Sequence, residues 1–160
     1  MRLALAFLIF GGSLAQTNLV PVLGLGAVTP DIPLILTVFL GLRKGPEVGC
    51  LAGFAMGLIL DAVGGGLVGT QALTKALAGF GVGLLGRRFW VHNPVVQVAG
   101  LVLLTVTEGL GRFALLQLFH FPAGLAELLR DVILPQALYN GFLGSAVAFV
   151  LTLAEARRSA

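Results

Sequence analysis

The stretch "GLILDAVGGGLVGTQALTKALAGF", residues 57–80, is almost wholly apolar, and yet it contains Asp61, three consecutive glycines and Lys75. The rest of the chain shares this apolar character: of its 160 residues, 58% are hydrophobic and only 11% are charged. Soluble domains carry about 25% charged residues, and a soluble core of this size could not bury so much apolar surface. Because lipid accepts such a surface, the sequence predicts an all-α integral membrane protein with a single transmembrane domain.

Charged residues divide the chain into six segments that are uncharged or nearly so, as is typical of membrane helices. The predicted segments cover about residues 3–22, 30–42, 47–62, 65–86, 93–119 and 132–154. A full span requires about 20 apolar residues, so the second and third segments could instead form a tilted or re-entrant hairpin. Leucines at helical spacing over about residues 123–131 predict a further short helix at the membrane interface.

The basic residues outside the predicted membrane interior indicate the orientation of the six segments. With the N-terminus in the cytoplasm, seven of them fall on the cytoplasmic side: Arg2, Arg43, Lys44, Arg87, Arg88, Arg157 and Arg158. Arg130 alone falls outside, so the positive-inside rule predicts that both termini are cytoplasmic. An alternative for the N-terminus is a cleavable signal peptide with Arg2 as its charged start and Ser13-Leu14-Ala15 as its cleavage region, which would leave five segments.

Small residues recur at every fourth position on several segments. Gly49, Gly53, Gly57 and Asp61 lie on one face of the third segment at 3.6 residues per turn. Their spacing forms a doubled G-x-x-x-G motif, which lets another helix backbone approach closely. The same spacing recurs at Gly65 and Gly69, at Gly79 and Gly83, and at Ala137, Gly141 and Ser145. We therefore expect close helix packing along these faces, although membrane helices are also rich in glycine for no specific reason.

The three consecutive glycines predict a turn between the third and fourth segments, because glycine reaches the backbone angles that a tight turn requires. Gly64, Gly66 and Gly69 also match the dinucleotide-binding pattern G-x-G-x-x-G. That fingerprint requires a preceding strand, whereas an apolar helix precedes these glycines, so the nucleotide interpretation fails. Asp61 lies just before the turn, where its carboxylate either braces the turn or contacts a partner or ligand.

Three charged residues lie deep inside predicted segments. Lys75 is about ten residues into its segment, roughly 15 Å along a helix, and Glu108 and Arg112 lie in mid-segment at the i, i+4 spacing of a helical ion pair. An unpaired charge in hydrocarbon is costly, so we expect these three side chains to form one internal polar cluster, with Gln71 or Thr74 nearby. The cluster is either a functional site or a structural brace that fixes helix register.

The last segment contains further polar positions. Pro135 predicts a kink at the entry to this helix. Tyr139 is typical of an anchor at the membrane interface, and Asn140 is expected to hydrogen-bond another helix.

Catalytic signals are weak throughout. Cys50 has no base near it in the sequence, His92 is a lone loop histidine, and no cysteine–histidine cluster has metal-ligand spacing. The sequence therefore predicts no enzyme activity, no cofactor, no metal site and no nucleic-acid partner.

Three stretches resemble the rod shape-determining MreD family: "TPDIPL" at residues 29–34, "GLILDAVGGGLVGTQAL" at residues 57–73 and "LPQALYNGF" at residues 134–142. The matching positions are Pro30, Asp31, Gly57, Asp61, Gly69, Pro135, Tyr139 and Asn140. The resemblance does not assign Lys75, Glu108 and Arg112 to the family pattern. The family is also similar in architecture to the six-helix substrate-binding subunits of energy-coupling-factor vitamin transporters.

The resemblance implies a non-enzymatic scaffold in the bacterial inner membrane that acts in cell elongation and lateral peptidoglycan synthesis. Its implied partner is MreC, and through MreC the filament protein MreB, the glycosyltransferase RodA and a class B penicillin-binding protein. The alternative is a vitamin-type substrate-binding subunit of a transporter with the polar cluster as its ligand site. A vitamin site requires aromatic groups, and the chain has one tryptophan and one tyrosine, which favours the scaffold.

Overall fold

The computed structural model describes residues 2–18, 29–65, 67–88, 94–120 and 124–156, and these residues form helices joined by turns, with no strand among them. The helices are α1 (Arg2–Asn18), α2 (Ile32–Lys44), α3 (Pro46–Gly64), α4 (Thr70–Arg88), α5 (Pro94–Leu118), α6 (Leu125–Leu128) and α7 (Leu134–Ala156). The predicted residues 19–22 of the first segment lie outside the described residues, as do Gly66, Trp90, His92, Arg157 and Arg158.

The all-α class predicted from composition is confirmed. Among the described residues, three helical stretches are long and apolar enough to cross a membrane: α3, Val98–Leu118 in α5, and Leu125–Val150. The six-span arrangement and the likeness to energy-coupling-factor subunits remain predictions.

The helices form a bundle with two ends, which we call the Asp61 end and the Lys44 end after one residue at each. The Asp61 end holds the last turn of α1, the first turns of α2 and α4, and the last turn of α3. The Lys44 end holds the tight α2–α3 connection at Gly45, whose positive φ of 93° suits glycine. Gln16 near the end of α1 hydrogen-bonds the backbone at the start of α2, which places those two termini together.

The glycine face of α3 packs directly on the backbone of α4, as its spacing predicts. A Cβ atom at Gly49 would lie 2.5 Å from the carbonyl oxygen of Gly79, a separation that real Cβ atoms do not adopt. Cβ atoms at Gly53 and Gly57 would likewise overlap the backbone of Lys75 and Gln71 at less than 3.0 Å. The stripe therefore brings α3 and α4 into backbone contact along most of their length.

Between α5 and α7, the short helix predicted from the leucines is continuous with the last helix, and the kink predicted at Pro135 stays a prediction. Leu125–Leu128 continue through a π-helical turn at Leu129–Ile133 into α7 as one helical stretch. The Leu134 N–H donates to the carbonyl oxygen of Leu129, five residues earlier. Pro135 has no N–H to donate and would crowd the carbonyl four residues before it. Widening the turn before the proline lets the helix pass it without ending.

The bundle buries polar side chains among apolar ones and exposes large apolar residues on its surface. One apolar cluster centres on Ile35, Val38 and Leu101. Phe7 is 78% exposed and Phe142 is 72% exposed. Since lipid solvates such residues and water does not, an apolar surface is the arrangement expected of a membrane bundle, whose buried polar groups must then bind one another.

Candidate functional site

Lys75 on α4 lies at the centre of the polar interior, with a side chain that is 0% exposed. Its Nζ donates to Asp31 Oδ2 at 2.5 Å and to Glu108 Oε1 at 3.2 Å. The predicted proximity of Lys75 and Glu108 is therefore confirmed. Asp31 is a second carboxylate partner, brought from the start of α2, that the sequence analysis did not assign to this cluster.

Glu108 on α5 is held by two groups from α4. Besides Lys75, Thr74 donates its hydroxyl hydrogen to Glu108 Oε1 at 2.9 Å. Glu108 is only 4% exposed, so these donors take the place of water around the carboxylate. Of the two neutral side chains expected near the cluster, Thr74 is part of it, whereas the Gln71 side chain makes no hydrogen bond with a described residue.

The two carboxylate oxygens of Asp31 make different interactions. Its Oδ1 accepts a hydrogen bond from the Leu34 N–H at 2.9 Å, so the carboxylate caps the N-terminus of α2. Its Oδ2 binds Lys75, and a carboxylate at a helix N-terminus also favours the helix dipole. The cap therefore fixes the position of the charge that Lys75 requires.

Asn140 on α7 ties three helices together and is 0% exposed. Its Oδ1 accepts the backbone N–H of Asp31 at 2.8 Å, and its Nδ2 donates to Thr105 Oγ1 on α5 at 3.2 Å. The predicted hydrogen bond from Asn140 to another helix is confirmed. Tyr139 beside it and Pro135 one turn earlier are half-buried.

Two glutamines hold the irregular backbone before α2. Gln16 Nε2 donates to the Pro30 carbonyl at 2.9 Å, and its Oε1 accepts the Ile32 N–H at 2.9 Å. Gln136 Nε2 on α7 donates to the Thr29 carbonyl at 3.0 Å. Non-helical backbone inside a membrane protein requires such partners. The sequence analysis missed both residues, although an amide within an apolar segment is itself a signal of a helix contact.

Asp61 braces the turn between α3 and α4, which is one of its two predicted roles. Its carboxylate accepts backbone N–H groups from Gly69 at 2.9 Å, Ala72 at 3.0 Å and Gln71 at 3.2 Å. These donors are among the unpaired N–H groups at the start of α4. Gly69 has a φ of 102°, so a glycine is required where the chain enters this cap.

Arg112 stands apart from the predicted cluster. It makes no hydrogen bond or ion pair with any residue that the structure describes, because Glu108 points to α4 and binds Lys75 and Thr74 instead. Arg112 is half-buried and borders a cleft of about 300 Å³ at the Asp61 end. The residues that line this cleft are Gln16, Thr17, Thr29, Asp31, Leu60, Val63, Gly64, Gln71, Arg112, Val132 and Gln136.

The interior network is suited to holding helices in register. Lys75, Asp31 and Glu108 join α4 to α2 and α5, and Asn140 adds α7. Within the described ranges no group of histidine, cysteine, aspartate or glutamate side chains is arranged to hold a metal ion. Cys50 is an unbridged, half-buried cysteine.

Comparison with known proteins agrees with the motifs at Asp31, Asp61 and Asn140. The model of the family described as rod shape-determining protein MreD matches residues 1–154, nearly the whole chain. No curated protein and no solved structure matches the chain. A match of this extent, on an all-helical chain with apolar helices able to cross a membrane, shows that the chain belongs to the MreD family of rod shape-determining membrane proteins.

Proposed function

We propose that this chain is a non-enzymatic scaffold of the rod complex in the bacterial inner membrane, with both termini in the cytoplasm. In this proposal it binds MreC, and through MreC it links to MreB, RodA and a class B penicillin-binding protein. The observation that carries the proposal is the family match over residues 1–154, because this is a shape-determining family.

The internal contacts support a scaffold. Lys75, Asp31, Glu108 and Asp61 each bind groups of this same chain. A bundle in which these four charges bind internal groups offers its outer helix faces to a partner's transmembrane helix, where packing of small and apolar side chains drives association.

The vitamin-type transporter subunit receives less support. The cleft at the Asp61 end has a volume of about 300 Å³, at the lower limit of ligand pockets, which measure about 300–1,000 Å³. Its described lining contains no aromatic side chain, whereas small-molecule pockets are lined mainly by apolar and aromatic groups.

Capture from native membranes tests the proposed partner. The tagged full-length chain, solubilised in mild detergent, is expected to retain MreC, identified by mass spectrometry. A multi-pass membrane protein of the same size, with the same tag and expression level, is the control. Capture of transporter energising subunits in place of MreC would contradict the scaffold and favour the transporter alternative.

Reporter fusions test the proposed orientation. Fusions after Arg88 and Ala160 are expected to report a cytoplasmic location, and a fusion near Gly124 an external one, because in the six-segment topology basic residues concentrate in the loops and termini of the cytoplasmic side. A fusion partner active only in the cytoplasm and one active only outside provide complementary readings at each site. A cytoplasmic signal at Gly124 would contradict the six-segment topology.

A further inference from the structure

The cleft at the Asp61 end has two kinds of wall. Leu60, Val63 and Val132 form an apolar part, and the polar part contains Gln71, Arg112 and Asp31, whose carboxylate is bound to Lys75. Its volume is about 300 Å³, which is enough for a phosphate headgroup with the first part of an acyl chain but not for a whole lipid. An amphipathic lining of this kind favours an amphipathic occupant over a fully polar one.

Arg112 lacks a carboxylate partner among the described residues. Glu108 Oε1 accepts from Lys75 and Thr74, Asp31 accepts from Lys75 and the Leu34 N–H, and the Arg112 guanidinium forms an ion pair with neither carboxylate. Lys75 offsets one of the two carboxylate charges, so Arg112 balances the other from a distance while its own N–H donors meet no acceptor among the described residues. A half-buried guanidinium at the edge of a membrane bundle requires such acceptors from a ligand or from water.

The side chain of Arg112 is long enough to reach the headgroup region from inside the membrane. Arg112 lies six residues before the end of α5 at Leu118, which is about 9 Å along the helix axis. The α5 helix has 25 residues, about 37 Å, and the hydrocarbon core is about 30 Å thick. If α5 spans the bilayer centrally, the Arg112 backbone lies slightly inside the hydrocarbon boundary, from which its long side chain reaches the phosphate level.

We propose that this cleft binds the phosphate headgroup of an anionic phospholipid. The Arg112 guanidinium pairs with the phosphate oxygens, whose geometry its donor fork matches. Gln71, whose side chain makes no hydrogen bond with a described residue and which lines the same cleft, donates its amide N–H to the phosphate. The start of an acyl chain packs on Leu60, Val63 and Val132. This inference goes beyond scaffolding and does not depend on which protein the chain binds.

Lipid titration of the purified full-length chain in detergent tests the site. Phosphatidylglycerol is expected to raise the apparent melting temperature of the wild-type chain and to remain bound in native mass spectrometry, whereas phosphate-free monoolein does neither. Arg112→Gln should weaken phosphatidylglycerol binding about tenfold or more, because it removes a charged hydrogen-bonding partner. Gln71→Leu should weaken it about fivefold, the loss expected for one neutral hydrogen bond, and this second variant keeps the test decisive if Arg112→Gln does not fold.

Arg130→Gln is the matched control, because Arg130 is an exposed cation at the same end of the bundle. It should keep the wild-type affinity, and equal losses in Arg130→Gln and Arg112→Gln would overturn the site in favour of general surface attraction. Inorganic phosphate that stabilises the wild-type chain as much as phosphatidylglycerol would overturn the lipid assignment and identify a free-anion site. Unchanged lipid binding in Arg112→Gln, with loss of a co-purifying protein, would also overturn it and assign Arg112 to a partner's carboxylate.

Discussion

Lys75→Met is expected to lower the stability of the bundle by about 3–5 kcal/mol, the usual loss when one partner of a buried ion pair is removed. Methionine keeps most of the side-chain volume but leaves the carboxylates of Asp31 and Glu108 without their shared cation. Both carboxylates are 4% exposed, so water cannot replace the ammonium without opening the bundle. Apparent melting temperature in a fixed detergent measures the loss.

A double-mutant cycle separates the contributions of the two carboxylates. Lys75→Met combined with Glu108→Gln should recover part of the loss, because the glutamine is neutral and can still accept the Thr74 hydroxyl. Adding Asp31→Asn should recover more, since asparagine is also a good N-cap for α2. Complete recovery in the first double variant would show that Asp31 contributes little to binding Lys75.

Lys44→Met controls for the loss of a lysine as such, because Lys44 is exposed at the last residue of α2. It should melt close to the wild-type temperature. Strictly additive losses for Lys75→Met and Glu108→Gln would contradict the ion pair, since two residues that interact directly show a coupling energy of about 0.5–3 kcal/mol.

Gly53→Leu is expected to destabilise the chain by more than the ~1–3 kcal/mol typical of an overpacked core. The first added carbon already overlaps the backbone of Lys75, and backbone cannot change rotamer to make room. The two helices must separate, which also displaces Lys75 from its carboxylates. Gly53→Ala should show a smaller loss in the same direction, and folded yield together with melting temperature measures both.

Gly100→Leu is the matched control for the glycine prediction. Gly100 lies in α5, is exposed and has no heavy atom within 4 Å of the position of a Cβ. Leucine there should leave yield and melting temperature unchanged or slightly improved, because it favours a helix more than glycine does. If Gly53→Leu behaved like Gly100→Leu, α3 and α4 would not be in backbone contact.

Sequence patterns predicted correctly those features that depend on the residues of a single segment. The four-residue repeat of Gly49, Gly53 and Gly57 predicted a close helix contact because small residues on one helix face let another backbone approach. The sequence left two roles for Asp61, bracing the glycine turn or contacting a partner or ligand. The bracing role is the one seen in the contacts of its carboxylate. The depth of Lys75 and Glu108 predicted their pairing, since each is costly alone in hydrocarbon.

The full set of partners between distant segments could not be predicted in the same way. The i, i+4 spacing on α5 left Arg112 as an alternative partner of Glu108, but the cation that binds Glu108 is Lys75. The reason is the crossing of α4 against α5, which points Glu108 away from its own helix. Asp31 was recognised as a family position, and its contact with Lys75, 44 residues away in the chain, follows only from how α2 packs on α4.

The sequence by itself determined that this chain is a helical membrane protein, because apolar content and the positions of charges report directly on the cost of burial in lipid or water. It also predicted the close-contact face of α3, whereas the close packing expected at Gly65 and Gly69 is wrong, because both lie in the turn before α4 with open space around them. Only the tertiary structure decided which donor meets which acceptor: Asp31 with Lys75, Asn140 with the start of α2, and Arg112 with neither carboxylate of the cluster. Those choices depend on helix rotation and crossing, which the packing of all helices sets together and no single segment encodes.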